Sequence, residues 1–413
     1  MILEKINNFI WGNGLVFLLL FTGVIITIRL KFIQLRLPFL LKKYGKSKNS
    51  GLSQFKTVCM SLGTAMGTGN IVGAASAVAV GGAGAVFWMW ISAFLGMAIV
   101  YTENVLSARY SDDELKGPMA YLTKGLGCPF LALIFAVFCV CASLGMGGMA
   151  QISVFTEALG KCADFSRPAA AVIIFIAVWL VIKGGGKRIG TAAQLLLPAA
   201  SLLYTAACIA VIAMNYKQIP QVFSSIFSEA FNFRSAAGGT AGYAVSVGIR
   251  RGLFSNEAGL GSSPILHSAA EGTSPRTQGL WSMFEVFFDT IICCSLTAIT
   301  VLCGSESFSP AEALSAVLGN FSDIFITAEL GVFSFCTVIG WYFCGMTTFS
   351  YIFKGKYIGA FSVIYAAIAA CGALSPAEYV WILSDIFNGL MAFVNVSGIL
   401  MMECLKLHRT KPV

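Results

Sequence analysis

Two stretches of this 413-residue chain set glycines and polar groups together inside otherwise apolar runs. The first reads Leu62-Gly63-Thr64-Ala65-Met66-Gly67-Thr68-Gly69-Asn70-Ile71-Val72-Gly73. Glycine at 67 and 69 lets the chain leave helical geometry and lets a ligand approach the main chain. The N–H groups freed at the start of the following half-helix, at its positive dipole end, suit a carboxylate. Carbonyls freed at the end of the preceding half suit a cation or an ammonium, and Thr68 and Asn70 add a hydroxyl and an amide. Together these groups would hold an amino-acid zwitterion beside a sodium ion. Gly63-x-x-x-Gly67 and Gly69-x-x-x-Gly73 equally match the small-residue motif of close-packed membrane helices, so this stretch alone leaves both readings open.

The second stretch, Arg250-Arg251-Gly252-Leu253-Phe254-Ser255-Asn256-Glu257-Ala258-Gly259-Leu260-Gly261-Ser262-Ser263-Pro264, shifts the balance. Asn256 and Glu257 in an intact helix against lipid would be costly. Ser255 or Asn256 reads as the N-cap of a half-helix, with Glu257 in its first turn. There Glu257 either serves transport or neutralises Arg250 or Arg251. Other polar residues inside apolar runs are Gln151, Asp289, Asp385 with Asn388 and Asn395, and Glu103, which reads as a residue reaching the interface. Each is a functional candidate by default, with a fixed hydrogen bond between helices as the alternative. Thr337 stands four residues before Trp341, whose indole would wall a small pocket or fill core.

The elements that must position these residues follow from composition. Hydrophobic residues make up 57% of the chain and charged residues 11%, against about 25% charged for a soluble domain. That is apolar material for about eleven spans of ~20 residues. Runs bounded by charge, glycine and proline fall near 8–29, 55–80, 85–107, 129–159, 167–183, 190–214, 237–268, 278–303, 324–350, 354–373 and 377–404. The first lacks a small-residue cleavage site and reads as a span. With the N-terminus outside, twenty basic residues fall on the cytoplasmic side and five opposite, while Arg250 and Arg251 lie within the seventh run. This asymmetry predicts an N-out, C-in chain, and the net charge of +8 needs no nucleic acid. Most of the thirteen cysteines sit in apolar runs as small fillers; Cys162 and Cys303 are a pair the topology would allow to bridge.

The two interrupted runs are the second and the seventh. A five-span unit repeated once enters the membrane from the opposite side the second time, and interrupted helices at matching places in inverted halves point to a secondary transporter's site. The expectation is one all-α polytopic membrane domain over 1–413. It comprises an extra helix at 8–29, repeat one at 55–214 and repeat two at 237–404. Several chemistries are not indicated. There is no G-x-x-x-x-G-K-[ST] phosphate loop, and His267 and His408 stand apart from any H-E-x-x-H or cysteine cluster.

The chain resembles the alanine or glycine:cation symporters. The blocks that carry the likeness are Gly67-Thr68-Gly69-Asn70-Ile71, Gly81 to Trp90, Lys187-Arg188-Ile189-Gly190, Arg251 to Gly259, Gly340-Trp341-Tyr342 and Asp385 to Met391, in order from about 55 to 400. The resemblance implies the leucine-transporter type of fold with eleven spans, coupling to sodium or sometimes a proton, and a small neutral amino acid as substrate, with no other cofactor. It would place substrate contacts at Thr68, Gly69, Asn70, Gln151, Asn256 and Trp341. It would place a sodium ion on the carbonyls of Gly63 and Met66 and the hydroxyl of Thr337. Three places depart from the family pattern, which commonly has Asn at Gly148, Ser at Cys336 and Gly-Glu at Gly345-Met346. A thiol is a poor ligand for a hard cation, and loss of an amide at Gly148 would widen or re-aim the pocket.

The resulting expectation is a symporter of the bacterial-type cytoplasmic membrane, not an enzyme. It would import alanine or glycine with sodium, or a proton, by alternating access. The alternatives are a sodium-independent carrier or exchanger of a related small solute, and a non-transporting sensor on the same fold.

Overall fold

The computed structural model describes residues 2–45, 54–231, 240–270 and 273–406, and all regular structure in them is helical. Lys46, Lys48, Arg234, Arg409 and Lys411 of the charge count, together with His408 and residues 237–239, lie outside the described residues. Among the described residues, seven helices are long and apolar enough to cross a membrane. We number the helices that bear on the site. The first six are α1 (Leu3–Arg29), α2 (Gln54–Ala65), α3 (Gly69–Gly81), α4 (Gly84–Tyr110), α5 (Pro129–Cys162) and α6 (Arg167–Ile182). Next come α7 (Gly185–Met214), α8 (Thr240–Asn256), α9 (Ser262–His267), α10 (Pro275–Gly304), α11 (Ser322–Phe353), α12 (Ile358–Leu374) and α13 (Val380–Cys404).

The runs that do not appear among the seven are those at 55–80 and 237–268, each broken in two, and those at 167–183 and 354–373, which form the shorter apolar helices α6 and α12. Large apolar side chains are exposed on the outer faces: Phe17, Val172, Ile173, Leu195, Leu202 and Phe393 among them. In water such a surface would be a liability, whereas against acyl chains it is the expected finish.

Polar residues are turned inward instead. Thr68, Asn70, Gln151, Asn256, Glu257, Asp289, Thr337, Asn388 and Asn395 are all buried. Close helix approach makes this possible. Helix α8 lies along α4, and a Cβ at Gly248 or Gly252 would overlap Ala85 or Ser92 respectively. A Cβ at Gly96 would stand 2.9 Å from Ala258. Small residues at such a seam let two backbones meet without lipid between them. Cys162 and Cys303 are both free thiols, so no bridge joins them; Cys162 Sγ lies 3.1 Å from Thr327 Oγ1.

Candidate functional site

The first interruption lies at Met66–Thr68, between α2 and α3. Met66 N still donates to Leu62 O at 2.6 Å, but Gly67 N turns back to Ala65 O at 2.8 Å, outside the α-helical pattern. The chain resumes in a wide π-helical turn over Gly69–Gly73. Gly67 is glycine for want of space: a Cβ there would stand 2.6 Å from Gln151 Oε1 and 2.8 Å from Thr337 Oγ1. Two predicted contact residues thus converge on the break from α5 and α11.

The second interruption is Glu257–Gly261. Helix α8 ends at Asn256, and Glu257, Gly259 and Gly261 have φ of 54°, 88° and 82°. Positive φ is cheap for glycine and strained for glutamate. The N-cap of α9 is Gly261, not Ser255 or Asn256, which correct the expectation by closing the helix before the break rather than opening the one after it. Asn256 Oδ1 accepts from Ala258 N at 3.1 Å and so turns the chain out of α8.

Asp289 joins the two breaks. It sits on a π-helical turn, Phe287–Cys294, within α10, and is fully buried. Asn70 Nδ2 donates to Asp289 Oδ1 at 2.7 Å and to its main-chain oxygen at 3.2 Å. Ser255 and Thr290 hydroxyls each donate to Oδ2 at 2.8 Å, and Asn256 Nδ2 donates to Thr290 Oγ1 at 3.2 Å. Wide turns of this kind expose main-chain and side-chain groups that a regular α-helix would point elsewhere. No basic residue pairs with Asp289 among the described residues.

Other predicted residues fall around this centre. Gln151, at the end of a third π-helical turn over Ser143–Ala150, accepts from Thr68 N at 3.0 Å and donates to Met146 O at 3.3 Å. Thr337 Oγ1 donates to Gly63 O at 2.9 Å, so two of the three expected cation ligands touch. Met66 follows α2, with its sulfur 3.9 Å from the Ser201 hydroxyl. Gly69 lies opposite Ser255 and Phe254, whose atoms are 3.7 Å and 3.8 Å from where its Cβ would be. Trp341 is fully buried, and its indole N–H donates to Glu257 Oε1 at 2.9 Å. Ser262 Oγ donates to Glu257 Oε2 at 2.5 Å. Glu257 is therefore held by an indole and a hydroxyl, and of its two readings the ion pair with Arg250 or Arg251 is not made among the described residues.

Two polar atoms in this cluster, Thr68 Oγ1 and Asn70 Oδ1, are buried with no hydrogen-bond partner among the described residues. Leaving such atoms unpaired costs about 1–3 kcal/mol each. Of the family departures, Cys336 stands beside Gly63, whose Cβ would lie 3.2 Å from its own. Gly148 contacts α12, with Ala369 3.5 Å from its Cβ position. The bridging role of Asp289 and the Glu257–Trp341 bond were not legible in the sequence. An acid with a neighbouring threonine in an apolar run was the signal for the first, and nothing in the spacing pointed to the second.

The profile described as the sodium:alanine symporter family matches residues 1–411. The sodium/alanine symporter AgcS of Methanococcus maripaludis is 35% identical over 99% of this chain and 96% of its own length. The probable sodium/glutamine symporter GlnT of Bacillus subtilis is 34% identical over 96% of this chain and 87% of its own. An uncharacterized transporter of Haemophilus influenzae is 37% identical over 99% of this chain and 95% of its own. The chain therefore belongs to the sodium:alanine symporter family, as a multi-pass membrane protein that carries amino acids with a cation and is not an enzyme.

Proposed function

We propose that this symporter imports a small neutral amino acid, alanine or glycine, with sodium across a bacterial-type cytoplasmic membrane. It does so by alternating access of two inverted five-span repeats, 55–214 and 237–404, outside which lies the helix at 8–29. The N-terminus is outside and the C-terminus cytoplasmic. The observation that carries the reading is the pair of orphaned acceptors, Thr68 Oγ1 and Asn70 Oδ1, buried where the two helix breaks meet. An ammonium supplies the donors both oxygens need. Gln151 on Thr68 N holds the main-chain amide where a carboxylate would compete for it.

Cation coupling is supported by chemistry in the same place. Asp289 is a buried carboxylate held by neutral donors, a state that favours an arriving positive charge. The Gly63 carbonyl and Thr337 hydroxyl are hard oxygen ligands of the kind sodium takes. In this mechanism the cation and amino acid together draw the ends of α2, α3, α8 and α9 into one closed arrangement, and the singly loaded carrier stays open. The small-substrate preference is supported by Trp341, a large ring fully buried beside the second break.

Uptake of radiolabelled alanine, glycine, serine and glutamine into proteoliposomes tests the reading, with sodium or pH gradients imposed separately. Sodium-driven accumulation of alanine or glycine is expected. Uptake indifferent to both gradients would identify a carrier or exchanger, and no uptake with no ligand-induced thermal shift would identify a sensor.

A further inference from the structure

A polar cavity lies apart from the helix breaks. It has a volume of about 180 Å³, opens to the surface and is lined by residues of α1, α3, α8 and α13. Its charged lining consists of Arg250, Arg251 and Asp385. The Arg250 guanidinium lies over the Trp11 ring at 5.8 Å, and Trp11 in turn donates its indole N–H to Asp385 O at 2.7 Å. Those contacts account for Arg250 and Trp11 as structure. Arg251 and Asp385 face the same space without closing an ion pair on each other. Two guanidinium groups and a carboxylate inside a membrane domain are expensive to keep there.

Phe254 connects this cavity to the site. Its ring lines the cavity, reaches within 3.8 Å of the Gly69 Cβ position and lies 5.0 Å from Trp381. One aromatic side chain thus forms part of the wall between the charged cavity and the helix breaks.

We propose that this cavity is an entry subsite for a zwitterionic amino acid, its carboxylate taken by Arg251 and its ammonium by Asp385. A guanidinium matches a carboxylate in a two-bond fork, and the single carbon between the charges of an α-amino acid suits a cavity of this volume. On the proposed orientation the cavity lies in the outer half, before Phe254 on the inward path. The proposal rests on the proposed direction of transport and deepens it by adding a second place where the same solute binds.

The test is equilibrium binding of radiolabelled alanine to the full chain in phosphatidylcholine nanodiscs with saturating sodium, paired with uptake kinetics. The expected stoichiometry is two alanines per chain. Arg251→Gln and Asp385→Asn should each reduce it to one and raise the KM of uptake about tenfold with Vmax unchanged. The double variant Thr68→Ala/Asn256→Ala should also retain one alanine, now dependent on Arg251. Ser246→Phe, which fills the cavity without removing its charges, should likewise bind one alanine with a raised KM, and it carries the test if Arg251→Gln folds poorly. One alanine per chain in the wild type, with normal KM in Arg251→Gln and Ser246→Phe, overturns the subsite and leaves the transport reading standing. Arg251-dependent alanine binding without any uptake would overturn the transport reading and leave the subsite. No alanine binding at all overturns both.

Discussion

Asn70 and Asp289, 219 residues apart, share a two-point contact in which one amide nitrogen meets both the carboxylate and the main-chain oxygen of the acid. The contact fixes which end of the amide is which. Nδ2 is spent on Asp289, so Oδ1 is the atom turned to the break. Asn70→Ala should weaken alanine binding about 10- to 100-fold, the range expected for a hydrogen bond to a charged group. Scintillation proximity binding with folded protein, checked by size exclusion, measures it. Unchanged affinity would remove Asn70 from the site.

Gly67→Ala should abolish uptake with little loss of helix content. Its Cβ would enter the space of Gln151 Oε1 and Thr337 Oγ1 together, displacing a proposed substrate contact and a proposed cation ligand at once. Circular dichroism and proteoliposome uptake on the same preparation separate misfolding from loss of function.

Trp341→Phe removes the one nitrogen donor to Glu257 while keeping most of the ring. The loss should destabilise the protein by about 1–3 kcal/mol. Adding Glu257→Gln should recover part of that loss, because the neutral amide tolerates the missing donor better than a buried carboxylate does. A thermal-unfolding cycle of the two single variants and the double variant measures the coupling.

Cys336→Ser should lower the sodium concentration giving half-maximal uptake, by placing a hard oxygen beside Gly63 in place of a thiol. Thr337→Ala should raise it about tenfold, because it removes the hydroxyl that meets the Gly63 carbonyl. Opposite shifts in the sodium titration are the expected signature.

A prediction outside the membrane concerns the turn at 111–117. Lys124, then the main-chain N–H groups of Leu115 and Glu114, hold the Asp112 carboxyl below its ordinary range. A depressed folded-state pKa stabilises above the unfolded-state value, and the benefit disappears as pH falls through the folded one. Wild type should therefore exceed Asp112→Asn slightly in melting temperature at pH 7, and the gap should close on acidification. The pair is exposed and its effect small.

The legible parts of the fold were those written in composition and in chain breakers. Gly67 and Gly69 marked one interruption and Gly259 and Gly261 the other, because glycine is where a helix in lipid can afford to stop. Thr68 N meets Gln151 at the first break, and Gln151 and Thr337 both close on Gly67. The exact exit from α8 was misplaced, since Asn256 works equally well as a cap or as a terminator and only Glu257's positive φ decides between them. The three π-helical turns that aim Asn70, Gln151 and Asp289 inward leave no trace in hydrophobic spacing, because one extra residue per turn hardly alters an almost uniformly apolar pattern. Glu257 pairs with Trp341 across 84 residues, a choice that local charge counting, with two arginines six and seven residues away, steers wrongly.

The long sequence separation of the partners at the first break bears on how the protein is made. Thr68 N waits 83 residues for Gln151, and Asn70 waits 219 for Asp289. At translation rates of about 5–20 residues per second, the unwound backbone of the nascent α2–α3 pair is unmet for several seconds and the Asn70 side chain for about ten seconds or more. Such a segment is held meanwhile by the insertion machinery, by water or by a chaperone rather than by the fold. The N-terminal half is thus an unfinished object until the C-terminal half arrives, and the two halves synthesised as separate chains would have to find each other before either became stable.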